Sequence, residues 1–119
     1  MNASNLLEQH PKVTAIIKAY YLDKLLNSLN TDAIPDDYKE FVIARGVPVE
    51  SLLAIIDNVP RDLFDVFDTQ KVYIETSVDT DGVFWWKIGE TQSVIGWEKR
   101  KDAEREAIEE AFKILEEKL

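Results

Sequence analysis

An α+β fold is predicted, and three features of the chain predict it. Apolar residues recur every three to four positions through residues 1–69. Between Val72 and Trp97 the repeat drops to two. A last stripe, Ala103, Ala107, Ile108, Ala111, Phe112, Leu115 and Leu119, returns to the helical period. The expected order is therefore a helical N-terminal part of three to four helices (1–69), then a three-stranded antiparallel meander and a long C-terminal helix packed on the sheet (70–119). The 119 residues are expected to form a single domain, since a chain this short does not enclose two independent cores.

Each element has a local reason. Ser4 caps a short turn, and Pro11 suits the first position of a helix, where its missing N–H costs nothing. From Pro11 the stripe Val13, Ile16, Ile17, Tyr20, Tyr21, Lys24 and Leu25, widened by Leu22, Leu26 and Leu29, predicts a helix ending near Asn30. Asp36 is the expected N-cap of the next helix, with Tyr38, Phe41 and Val42 apolar and Gly46 as its stop. Pro48 opens a third helix with Leu52, Leu53, Ile55 and Ile56 on one face, and Pro60 a last short turn carrying Leu63, Phe64 and Phe67. Val72, Ile74, Thr76 and Val78 share one face of the first strand. Asp81-Gly82 is a hairpin signal. Phe84, Trp86 and Ile88 share a face of the second strand, Gly89 to Ser93 turns, and Val94-Ile95-Gly96-Trp97 is the expected third strand.

Composition excludes several functions. There is no cysteine, which removes disulfides, thiolate metal sites and cysteine nucleophiles. The net charge is −9, and it is uneven: +1 over Met1–Leu29, −8 over Asn30–Glu90 and −2 over Thr91–Leu119. Such a field repels nucleic acid and anionic membranes and attracts basic partners. The first residues lack the basic and apolar regions of a signal peptide. The greasiest stretch, Val13 to Leu26, is interrupted by Lys18, Asp23 and Lys24, so no spanning segment is expected and a cytoplasmic location is.

Motifs that would carry chemistry are absent or explained by structure. The lone His10 has no second histidine or cysteine to form a metal site or a nucleophile pair, and is expected as an exposed residue at a helix start. Asp62, Asp65 and Asp68, three apart, read as the wet face of a short helix whose buried face is Leu63, Phe64 and Phe67, rather than as a cation site. Asp79-Thr80-Asp81-Gly82 reads as a turn and lacks the later ligands of a calcium loop. Gly46 between two short helices fits a helix-turn-helix, but the second helix would present Glu50, Ser51, Ala54 and Asp57, with no cation for phosphate. No phosphate-binding glycine loop occurs. No catalytic residue, cofactor or metal is assigned.

Two surfaces are left to carry function. If Phe84, Trp86 and Ile88 face the C-terminal helix, then Trp85, Lys87 and Tyr73 face away; aromatic residues there need a cover, and the N-terminal helices are expected to supply it, unless the face serves a partner. The second surface is the cation cluster Lys99, Arg100, Lys101 and Arg105 at the start of the last helix, where free backbone N–H groups add to its pull on an anion. Here Arg100-Lys101-Asp102-Ala103, followed by Ala107, Ala111 and Leu115, resembles the second helix of double-stranded-RNA-binding domains, in which a lysine pair grips phosphates across a groove. Glu104 stands where that family has a third lysine, and its glycine-rich, histidine-containing β1–β2 loop has no counterpart. The same ending, Arg100 to Leu115, after a helix-rich start and an aromatic hairpin, resembles small uncharacterised proteins of bacterial prophages and mobile elements. That resemblance implies an accessory or anti-defence role and no site residue.

The expected function is a non-enzymatic acidic interaction module that binds a protein partner or itself through Tyr73, Trp85 and Lys87. The alternatives are nucleic-acid binding through Lys99, Arg100, Lys101 and Arg105, and mimicry of nucleic acid by Asp36, Asp37, Asp57, Asp62, Asp65 and Asp68.

Overall fold

The computed structural model describes residues 2–29 and 32–119. Along the chain run α1 (Ala3–Gln9), α2 (Pro11–Ser28), α3 (Asp36–Arg45), α4 (Val49–Asn58), a 3-10 turn (Pro60–Leu63) leading into α5 (Phe64–Thr69), then β1 (Ile74–Val78), β2 (Phe84–Ile88), β3 (Thr91–Gln92) and α6 (Arg100–Lys118). This is the α+β class and element order that the change of period predicts. The three strands form one antiparallel sheet in the order β1-β2-β3.

The N-terminus departs from expectation in detail. The predicted turn at Ser4 is a helix of two turns, capped two residues earlier by Asn2, whose Oδ1 accepts the Asn5 N–H at 2.8 Å. His10 is not exposed. It closes α1 ahead of Pro11, is only 7% exposed, and its Nδ1 lies 2.7 Å from the Leu6 carbonyl oxygen. A helix junction inside the core buries whatever residue makes the corner, and here an imidazole can satisfy a local carbonyl. Asn30, the expected end of α2, lies outside the described residues; α2 runs to Ser28. Pro35, not Asp36, occupies the cap of α3, and Gly46 ends that helix with φ 68°.

The third strand is also corrected. Gly89 adopts φ 59° and makes a two-residue turn with Glu90, so the chain reverses at once and Thr91 and Gln92 pair with Ile88 and Lys87. Ser93 then exchanges bonds with Trp86, its N–H donating to the Trp86 carbonyl at 3.0 Å and its Oγ accepting the Trp86 N–H at 3.1 Å. Val94 and Ile95 loop out into solvent, and the chain returns for a single bridge between Trp97 and Phe84. The segment Val94–Trp97 is thus a bulge outside the sheet, not a strand.

α6 is the central element. Ala103, Ala107, Ile108, Ala111, Phe112 and Leu115 are all buried. β1 and β2 pack against α6, and so do α2, α4 and the 3-10 turn. The N-terminal helices therefore do not cover the outer face of the sheet as expected; they dock on α6. Alanine at every fourth position lets neighbouring backbones approach closely, which favours α6 over a sheet face lined by Lys and Glu. Phe112 follows the same rule. Its ring packs edge-on against Phe67 and His10, each at 5.6 Å, and so meets the helical side.

Candidate interaction surface

The outer face of the sheet is set by strand alternation. β1 and β2 pair as Glu75 with Lys87 and Ser77 with Trp85, so these four share a face. Glu75, Ser77 and Lys87 are exposed, and Trp85 is half-buried. Tyr73, one residue before β1 and of the same parity, is 58% exposed. Glu75, Ser77, Trp85, Lys87 and Gln92 line a shallow depression on this face. The three residues singled out in the sequence thus sit on, or continue, one open surface.

Trp85 owes its partial cover to two local contacts. The indole N–H donates to Asp79 Oδ2 at 3.0 Å. The second contact is Gly96, where a Cβ would fall 2.1 Å from Val83 Cγ1 and 2.9 Å from Trp85 Cζ2. Only glycine lets the returning chain lie on the indole. The other Asp79 oxygen accepts the Asp81 and Val83 amides at 2.9 and 3.1 Å. The Asp79 carboxylate is therefore a turn clasp, which accounts for the Asp-rich sequence without a cation.

These donors, the Trp85 indole first and then the Val83 and Asp81 amides, hold the Asp79 carboxyl below its ordinary value of 3.8. The folded chain binds that proton less tightly than the unfolded one. The stabilisation is thus present above the unfolded value and is lost as pH falls through the lowered folded one. An NMR acid titration of Asp79 should give a midpoint below 3.8 that rises in Trp85→Phe. An unmoved midpoint would mean that the indole does not hold the turn.

The cation cluster is divided by the fold. Lys99 caps α6 with no side-chain bond to the helix, and Lys99, Arg100 and Lys101 are exposed. The Arg100 guanidinium lies 5.2 Å above the Phe84 ring. Arg105 is largely buried and paired with Glu109 at 3.1 Å. In its place a cation from elsewhere joins Arg100: Arg61 and Arg100 line one pocket with Thr76 and Ser77. Arg61 also reaches the buried Glu104, Nη1 to Oε2, at 3.2 Å. No spacing in the sequence signals that pair, whose members are 43 residues apart.

The six aspartates that would imitate phosphates are all exposed, with Asp36 and Asp37 on α3 and Asp57 on α4. Asp62, Asp65 and Asp68 line one shallow pocket with Arg61 and Phe64. Among the described residues no three acidic or histidine side chains are placed to hold a metal ion. Burial, with the Asp62 charge next, pushes the phenol of Tyr21 up to about 12. The exposed side of α4 is Glu50, Ser51, Ala54 and Asp57, as the helix-turn-helix test anticipated, and carries no cation. No described helix is long and apolar enough to cross a membrane.

One residue of consequence escaped the sequence reading. Glu106 Oε1 accepts the indole N–H of Trp86 at 2.8 Å and that of Trp97 at 3.2 Å, tying the returning segment to β2 and α6. A Glu on a helix flank resembles any solvated acid, so nothing in the sequence marks it. No family model, characterised protein or solved structure matches the chain. Its function is therefore argued from these surfaces alone.

Proposed function

We propose that the chain is a small acidic interaction module that binds a protein segment at the outer face and free edge of its sheet and catalyses no reaction. The observation that carries this reading is the open face bearing Tyr73, Trp85 and Lys87. Among the described residues β1 is an outer strand, pairing only with β2. The Asp79 N–H bonds the Val83 carbonyl, so in the antiparallel alternation Glu75 and Ser77 bond towards β2, while the backbone groups of Ile74, Thr76 and Val78 point outwards. An extended segment added there gains main-chain hydrogen bonds, and Tyr73 and Trp85 supply rigid aromatic contacts. The −9 charge favours a basic segment and speeds its encounter.

A photo-crosslinking residue at position 73 or 87 of the full chain should capture a discrete protein in cells, whereas one at Glu8, an exposed residue on α1, should not. Equal capture from both places, or none from 73 and 87, would overturn the proposal.

The shared pocket of Arg61 and Arg100 supports a second reading, anion or duplex-RNA binding beside Lys99 and Lys101. Glu104 and Glu109 already engage two of the three arginines in this region, Arg61 and Arg105, which weighs against it. A duplex-RNA titration at low and high salt tests it. Binding that falls steeply with salt and is lost in an Arg100→Ala/Lys101→Ala double variant would put this reading first.

A further inference from the structure

We infer that α3 and the distal half of α2 form the two-fold interface of a homodimer, a surface separate from the sheet face proposed above. The shape of the chain is the first argument. The radius of gyration is 16.2 Å and the extents are 53 × 28 × 24 Å, whereas a compact chain of this length has a radius near 13.5 Å. The elongation has a source in the helices. Only Val13 and Ile17 of α2 are buried, both in its first half, and Leu22, Leu25, Leu26 and Leu29 beyond them keep access to solvent. Of α3, only Val42 is buried.

The second argument is the composition of α3. Phe41 is 59% exposed and Tyr38 is 52% exposed, and Ile43, on another flank of the helix, is exposed too. A helix that is apolar on more than one side is built to be enclosed. Leu25, Tyr38, Phe41 and Val42 line a groove between α2 and α3. Phe41, Tyr38, Ile43, Leu25 and Val49 together leave on the order of 400 Å² of apolar surface in water. A standard interface buries roughly 800 Å² per partner, a little over half of it apolar. The patch thus matches one such interface.

Charge selects the second copy as occupant. The segment Pro11–Gly46 carries five Lys or Arg and five Asp or Glu, so the whole −9 lies elsewhere on the chain. Along this arm two copies carry no net charge that would hold them apart. Within α3, Asp36 and Asp37 occupy the first turn and Arg45 the last. A two-fold axis across α3 sets it antiparallel to its copy and brings each acidic end against the other's arginine. The contact is then self-complementary, as an isologous interface must be. Each helix hairpin would meet the other's to make a four-helix contact that covers both flanks of α3.

Sedimentation velocity of the full chain from about 1 to 200 μM tests this. Wild type should change from 13.7 kDa to twice that mass across the series. Phe41→Glu should weaken association at least tenfold with an unchanged circular dichroism spectrum. Arg45→Glu should weaken it too, and adding Asp36→Arg and Asp37→Arg to that variant should restore it, which misfolding would not do. A monomer at every concentration overturns the inference. So does a dimer insensitive to these changes but broken by Tyr73→Ala/Lys87→Glu, an outcome that would leave the sheet-face proposal standing.

Discussion

Phe112→Ala is expected to lower the free energy of unfolding by about 3–5 kcal/mol, a large part of the roughly 5–15 kcal/mol available to a domain of this size. Phe112 is completely buried, and its ring joins α6 to both the α1–α2 corner, through His10, and α5, through Phe67. Truncation removes the transfer energy of the ring and leaves a cavity between elements that cannot all close on it. Glu117→Ala, at an exposed position of the same helix, should change stability by less than about 0.5 kcal/mol. Urea melts of both variants check this. If the Phe112→Ala midpoint equals that of wild type, α6 is not the element on which the helices dock.

Glu106→Ala should cost about 2–3 kcal/mol, the second largest effect expected. One carboxylate oxygen accepts two indole N–H groups, and the substitution leaves both donors unpaired in a partly buried site. Glu106→Gln, whose amide oxygen can still accept both, should lose about half as much. The loss should also reach the candidate surface. Trp97 anchors the segment whose Gly96 lies on Trp85, so the Ala variant should raise quencher access to tryptophan fluorescence below its unfolding transition. An Ala variant as stable and as protected as wild type would mean that the returning segment is held by backbone bonds alone.

The candidate surfaces were legible in unequal measure. Alternation placed Trp85 and Lys87 on the face opposite Trp86, because a strand's period of two is a property of the chain itself. Tyr73 shares that parity and lies just outside β1. The cluster at the start of α6 was visible as four cations in seven residues, yet its electrostatics was not. Arg105 turns to Glu109 on its own helix, a pairing the four-residue spacing allows, while Arg61 arrives from another part of the chain. His10 and Asp36 were misread for related reasons. Whether a histidine at a helix start is wet depends on what packs over the corner, and a proline before an aspartate can take the cap position without any side-chain bond.

What the sequence determined by itself is the kind and order of the elements. Hydrophobic period, proline at helix starts, Gly46 at a helix end and Asp81-Gly82 in a hairpin act within a few residues, so each can be read locally. The tertiary structure decided which layer covers which. A period names the apolar face of an element but not the partner that buries it. Here the close approach allowed by Ala103, Ala107 and Ala111 drew the N-terminal helices to α6 and left the outer sheet face open. The same limit applies to α3: its apolar residues mark it as a helix that needs burial, but whether its own chain can reach all of its flanks depends on where α2 runs, and the second half of α2, beyond Ile17, has no buried residue.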